Sequence, residues 1–390
     1  MSDIELSCMI DPEGLDLQGF EAQHRLRVGI QQMSWEEAWD HLLRFALHGE
    51  GPDVSEIGST WLSSLIEMNA LRPFVSWSGT FLRDMERFFP AARWAITRPG
   101  DYRIWAVPLL TDTRVIYYRR QQLQQAEIDP DKAFQTTASL VATLERLQKR
   151  GVAVPWAMPT RGLDVLYNAA SFIWAARGRI QTEEARHLQL TEPQAQAGLR
   201  SFLGLHSFLA RPAQGLDAVG TNNLFQEGEV AAALSGPWLL RQLEQDPELL
   251  AGVGVAPVPG VPFIGGSHLV MWRHGRNERE VIKLVQHLTS PETQQRFFQQ
   301  SGHLPARLEV LAGEPFASDP RYRAFAQSLN TGRVLTVSYR WAAVEQRLVT
   351  LLARLWSDVA ADPELDLDVE IAGRVAALVD DLEHTLLATW

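Results

Sequence analysis

The first 67 residues alternate between two hydrophobic periods, and that alternation limits the fold more than any other feature of the chain. Residues 4–10, IELSCMI, are a short apolar-rich run stopped by DPEG, which reads as a strand ended by a turn. LRVGIQQM (26–33) reads as a second strand. SWEEAWDHLLRFALHGEGPD then opens on a capping box, Ser34 with Glu37, and places Ala38, Trp39, Leu42, Leu43 and Ala46 on one helical face. Gly49 ends that helix, and the chain turns through Gly51 and Pro52. VSEIG (54–58) is a third strand, leading into an apolar helix around WLSSLIEMNAL. Strand, helix, strand and helix with short connections predict an α/β unit with a mainly parallel sheet, where ligands sit beyond the carboxyl ends of the strands. GSTW (58–61) lies at such an end.

The rest of the chain continues in the same style. IWAVPLLTDTRVIYYRR (104–120) holds two strand-like runs separated by Thr-Asp, and helices are expected near 135–150, 164–177 and 192–210. VGVAPVPG (253–260) and FIGGSHLVMW (263–272) form a second strand-like pair. A helical stretch broken near Pro291 follows, and the last third carries two amphipathic helices. No fixed-period repeat is visible. With 390 residues the chain exceeds one ordinary core, so two globular units are expected.

Charge and motifs remove whole function classes. The formal net charge is −11 with no basic block against it, which makes nucleic acid and anionic lipid poor partners. Cys8 is the sole cysteine, so neither an internal disulfide nor a cysteine metal cluster can form, and it reads as an ordinary buried thiol. MSDIELSCMIDPEG lacks a basic region followed by a long apolar stretch, and no segment approaches a membrane span. The chain as it stands is therefore expected to be cytoplasmic unless a leader has been removed. No H-E-x-x-H, G-x-S-x-G or G-x-x-x-x-G-K-[ST] occurs. GVGVAP (252–257) starts like a dinucleotide fingerprint but lacks its third glycine and its helix. DLDVE (366–370) has calcium-loop spacing without the glycine or final glutamate, and reads as helix N-terminal charge. No cofactor, no metal and no catalytic residue is expected, although two carboxylates of a glycosidase would leave no short motif.

Several segments, in order, resemble family 1 extracellular solute-binding proteins, the carbohydrate receptors of ABC importers. LHGEGPDVSEIGSTWLSSLIEMNALRPF is similar to their "G-x-x-P-D-V" strand and following helix, and AVPLLTDTRVIYYRR to "P-x-x-x-D-T-x-x-x-Y-Y". LFQEGEVAAALSGPWLL resembles "F-x-x-G-x-x-A-M-x-x-x-G-P-W". GGSHLVMWRHGRNEREVIKLVQHLTSPETQQRF followed by GHLPAR resembles the family's "G-G" strand, helix pair and "G-x-L-P-A-R". WAARGRI (174–180) departs from the usual "W-x-x-G-G" turn.

The resemblance implies an α/β, two-lobed periplasmic-binding-protein-like fold of type II, with a ligand cleft between lobes joined by hinge strands near 104–118 and 253–272. Lobe 1 would hold 1–108 and 262–310, and lobe 2 109–261 and 311–390. It implies non-catalytic capture of a sugar or oligosaccharide by hinge closure, ABC permease subunits as partners if the chain is exported, and a monomer. A leaderless intracellular sensor or partner-binding module of the same fold is the alternative.

Site residues follow from the same positions. A helix starting after Gly236-Pro237 would present Trp238 from its first turn, its ring covering a pyranose face and its N–H free to donate. Trp61 would be a second aromatic wall, and Asp112 a hydroxyl acceptor. Gly265, Gly266 and Ser267 would let backbone approach the ligand closely. Arg333 with Tyr339 and Trp341, and also Trp174 and Arg307, complete the expected ligand set. Trp35, Trp39, Trp356 and Trp390 sit on helical stripes and read as core.

Overall fold

The computed structural model describes residues 3–74, 84–94, 103–182, 187–209, 215–338 and 340–387. The chain divides into two compact units, residues 1–112 with 264–317 and residues 113–263 with 318–390, so it passes between them three times.

Unit 1 is built on a mixed sheet. Its strands are β1 (Ile4–Cys8), β2 (Val28–Gln32), β3 (Val54–Gly58), β4 (Leu71–Arg72), β5 (Ala106–Thr113), β10 (Ile264–Trp272) and β11 (Leu304–Pro305). They run in the order β11-β5-β10-β3-β1-β2, with β4 on the far end of β10. β1 is parallel to both β2 and β3, while β10 runs antiparallel to β3 with Ser267 opposite Gly58 and Leu269 opposite Glu56. All five residues of β3 are buried, as expected of a central strand covered on both faces. A chain of buried polar groups crosses three strands: Ser7 and Ser55 share a hydrogen bond of 2.6 Å, and Trp272 Nε1 donates to Ser55 Oγ at 2.6 Å.

A short helix that the pattern did not announce, Leu17–His24, lies between β1 and β2. The helix expected after β2 forms over Trp35–His48, because Ser34 accepts from the Glu37 N–H and Gly49 closes the end at φ 65°. Of its expected face, Ala38 and Leu42 are buried, while Trp39, Leu43 and Ala46 are partly so. The helical stretch with a break divides into Glu278–Leu288 and Pro291–Ser301, the second capped by Ser290.

Unit 2 carries a four-stranded sheet, with β6 (Val115–Arg119), β7 (Trp156–Ala157), β8 (Ala232–Ser235) and β9 (Val253–Pro257) in the order β7-β8-β6-β9. Its core is mostly helical, from Leu163–Ala175, Pro193–Leu203, Trp341–Ala361 and Leu367–Leu382. Trp356 packs edge-on against Phe202 at 5.2 Å there. GVGVAP lies on β9, and Asp366 of DLDVE caps a helix by accepting from the N–H groups of Asp368 and Val369. Among the described residues, no helix is long and apolar enough to cross a membrane.

One boundary moves. Thr-Asp at 111–112 was expected to separate two strands, but β5 continues through both to Thr113 and the break falls at Arg114. The reason is an ion pair: the buried Arg114 side chain turns to bind Asp164.

Candidate solute-binding surfaces

In unit 1, the chain leaving the carboxyl end of β1 meets Glu56, the middle residue of β3. Its side chain is wholly buried, and Oε2 accepts from the backbone N–H of Met9 at 2.8 Å and of Ile10 at 3.1 Å. Neither Oε1 nor the Ser267 hydroxyl makes a well-formed hydrogen bond among the described residues, although that hydroxyl lies close enough to favour the charged carboxylate. Burial raises the Glu56 pKa, and the Ser267 hydroxyl and the two N–H groups offset that only in part. The same burial, with the Glu56 charge second, pushes the Cys8 thiol up to about 12, so Cys8 is an inert buried thiol.

Trp61 comes three residues after the end of β3, and its ring lies 3.3 Å from where a Cβ at Gly58 would be. The Trp61 indole is only 3 % exposed and packs between Trp35 and Trp39, each at 5.8 Å. Trp35, read from its helical stripe as core, is 38 % exposed and is the outward ring of this triad. The stripe misleads because Trp35 is the first helical residue, where the core face has not yet turned inward.

Gly265 and Ser267 are buried on β10, and Gly266 has φ 144°, with a Cβ position only 2.2 Å from the Leu110 carbonyl oxygen. Glycine is therefore required at 266 for β10 to lie against β5. Asp112 is part-buried on β5. Arg307 is committed elsewhere: 5 % exposed, it donates to Thr289 O and to Asp84 and lies over the Phe88 ring at 4.5 Å. Its backbone N–H, with that of Ala306, is held by Gln294 Oε1. These bonds give Arg307 a structural place within unit 1.

In unit 2, Trp238 is the second residue of the helix Pro237–Leu243, after Gly236 in extended backbone. Tyr117 fixes that entry, donating to Gly236 O at 2.7 Å and accepting from Leu240 N at 3.2 Å. The indole lies over Gly236, whose Cβ position falls 2.4 Å from the ring, and the Arg114 guanidinium sits 4.7 Å from its centre. With the Asn222 amide oriented to satisfy Ser235 Oγ, its oxygen accepts from Trp238 Nε1 at 3.1 Å. The N–H expected to be free thus holds the ring in place, and the ring remains part-buried.

Trp341 is wholly buried in the helical core and donates through Nε1 to Glu345 at 3.1 Å, which leaves no indole face for a solute. Arg333 is exposed, lies over the Trp174 ring at 5.6 Å, and is tied by its N–H to Pro262 O. Trp174 itself is buried. Tyr339 and Trp390 lie outside the described residues.

Residues 17–324 match the bacterial extracellular solute-binding protein family. The chain belongs to that family. It is thus a solute-binding protein of the type that serves ABC transporters, and its fold is that of the maltose-binding-protein-like periplasmic binding proteins. Maltose-bound MalE3 of T. maritima superposes with a TM-score of 0.83 at 20% identity, covering 97% of this chain and 99% of that one. The sugar-binding protein MalE of Xanthomonas citri gives 0.79 at 20% identity, with 98% and 97% covered. A putative binding protein of Brucella abortus is 20% identical over 348 residues, 83% of this chain and 80% of the relative. The sn-glycerol-3-phosphate-binding periplasmic protein UgpB of Salmonella typhimurium is 22% identical over 284 residues, 66% of this chain and 62% of its own length.

Within this solute-binding protein, sequence reasoning missed Glu56 and Arg114. Both sit inside quoted segments, Glu56 in VSEIG and Arg114 in TDTRV, and both are buried charged residues within or beside strands. A charge at a position where a strand should be buried was the available signal.

Proposed function

We propose that this chain captures a sugar or a related polyhydroxy solute without turning it over, and delivers it to an ABC importer as the two units close on it. Glu56 carries the reading. A wholly buried carboxyl with one oxygen lacking a hydrogen bond costs stability unless something supplies a donor, and a solute hydroxyl is such a donor. Trp35, the exposed ring of the triad that packs on Trp61 after β3, adds an aromatic surface in the same unit, suited to the C–H face of a sugar ring. Trp238, held by Asn222 and Arg114, would be the aromatic contributed by unit 2, with Asp112, the Gly265–Ser267 backbone and Arg333 as further polar contacts.

The family and the similar structures are binding proteins, which supports capture over catalysis. The names of the relatives span maltose and sn-glycerol 3-phosphate, so both solute classes belong in the test. Protein freed of carried-over ligand by unfolding and refolding is screened by thermal shift against mono-, di- and oligosaccharides, polyols and glycerol phosphates. A native-state ligand raises the melting temperature according to its concentration over its Kd. One solute class should shift the wild type and fail to shift Glu56→Gln. No shift from any of them would refute the reading, and product formation with pure protein would replace it by an enzyme.

A further inference from the structure

Asn168 is a buried polar side chain of unit 2 that the reading above does not use. It lies in the middle of the helix Leu163–Ala175 and is 1 % exposed, yet neither Oδ1 nor Nδ2 has a hydrogen-bond partner among the described residues. Such a group loses the full hydration of an amide and regains nothing. Its neighbours on the helix show which way it faces. Asp164, one turn earlier, binds Arg114, whose guanidinium lies on Trp238. Ser171, three residues later, accepts from Phe263 N at 3.0 Å. Residues at i, i+4 and i+7 share one helix face, so Asn168 sits between two positions whose side chains both make polar contacts.

We propose that Asn168 is a specificity-determining contact for the solute, its Oδ1 accepting from one hydroxyl and its Nδ2 donating to the adjacent one. This rests on the sugar-capture reading and assigns it a chemical group: a vicinal diol. An amide presents one acceptor and two donors in a plane, which matches two neighbouring hydroxyls that each donate and accept. A solute lacking one of the pair, or holding it in the other configuration, leaves one end of the amide unpaired, and that is the arrangement that discriminates strongly.

The test uses the full chain, refolded free of ligand, and titrates maltose, tagatose and sn-glycerol 3-phosphate by calorimetry into wild type, Asn168→Leu and Asn168→Asp. Leucine is close in volume and removes both ends of the amide, so its folded protein should melt no lower than wild type. Its Kd for the probe that binds should nonetheless rise tenfold or more. Aspartate keeps the acceptor and loses the donors, and should fall between the two. An unchanged Kd in Asn168→Leu overturns the inference while leaving the capture reading intact, and would assign the amide to an internal water. If none of the three probes binds wild type, the capture reading loses these solutes and the inference falls with it.

Discussion

The two units prepare aromatic and polar groups in opposite ways. In unit 1 the key polar group is unsatisfied: Glu56 is buried with Oε1 lacking a hydrogen bond, and the aromatic after β3, Trp61, is locked between two other indoles. In unit 2 the aromatic is the tethered element. Asn222 takes the Trp238 N–H, Arg114 lies on the ring, Asp164 matches the Arg114 charge, and Tyr117 pins the backbone at Gly236. Around Glu56 the molecule holds unmet hydrogen-bonding capacity and gives up stability for it, whereas the surroundings of Trp238 are braced. Substitutions should therefore separate: those in unit 2 should cost stability first, and those around Glu56 should cost binding first.

The sharpest break is Arg114→Ala. It leaves Asp164 without its cation and Trp238 without its cover, and removing one partner of a buried pair costs about 4 kcal/mol. Chemical denaturation should show a midpoint shift of that size with Arg114→Ala, and an unchanged midpoint would mean that the pair is not a brace. Asp164→Asn, which keeps a hydrogen-bond acceptor, should lose less.

Acid titration contrasts two groups inside unit 1. His268 is buried with Nε2 at 2.8 Å from Ala92 O, and burial lowers its pKa from an ordinary 6.5 to about 4. Its depressed pKa means that the unfolded chain takes up a proton first as the pH falls. Stability is then lost between pH 6.5 and pH 4, by about 3 kcal/mol at 1.36 kcal/mol per unit. Glu56 has the opposite sign. Its pKa is raised, so its contribution is fully present below its unfolded value of 4.5 and is lost as the pH rises through the folded value. Unfolding free energies measured from pH 4 to 8 should lose their acid-side fall in His268→Gln. In Glu56→Gln they should gain at neutral pH relative to wild type. The same two slopes in both variants as in wild type would remove both groups from the account.

The glycines test how rigid each surface is. A Cβ at Gly266 meets the Leu110 carbonyl at 2.2 Å with φ at 144°, so backbone must move, and Gly266→Ala should cost about 3 kcal/mol. The atoms nearest a Cβ at Gly236 belong to the Trp238 ring, at 2.4 Å, and a side chain held by the Asn222 bond and the Arg114 contact yields more readily than backbone does. Gly236→Ala should cost about 1 kcal/mol and change tryptophan emission. Equal losses from the two would show that the Trp238 ring is as fixed as a strand.

Much of this fold was legible because its signals are local. The Ser34 cap, the Gly49 stop, the short β3 run between turns and the Pro237 helix start each follow from a few adjacent residues. The sites were less so, because their decisive contacts join distant parts of the chain. Arg307 looks like an available guanidinium in sequence, but Asp84 and Thr289 claim it only in the fold. Trp341 resembles a site aromatic until Glu345, one helical turn on, takes its N–H within the core. Glu56 was passed over because a strand motif names its apolar neighbours, and nothing in VSEIG says that Met9 and Ile10 would bring it two backbone N–H groups and leave one oxygen unmet.

Trp35 gives the smallest stability effect and the cleanest separation of the two roles. Its ring is 38 % exposed and rests on Trp61 at 5.8 Å, so Trp35→Ala uncovers one face of an otherwise buried indole and removes little else. An exposed side chain away from the core contributes within about 0.5 kcal/mol, and the lost ring pair adds about 0.5 kcal/mol more. The melting temperature should therefore barely move. Binding should respond differently, since a sugar that stacks on Trp35 loses its aromatic partner and its Kd should rise about tenfold at nearly constant stability. If Trp35→Ala instead lowers the melting temperature as much as Gly266→Ala does and leaves the Kd alone, the triad is a prop for β3 and the aromatic surface of unit 1 lies elsewhere.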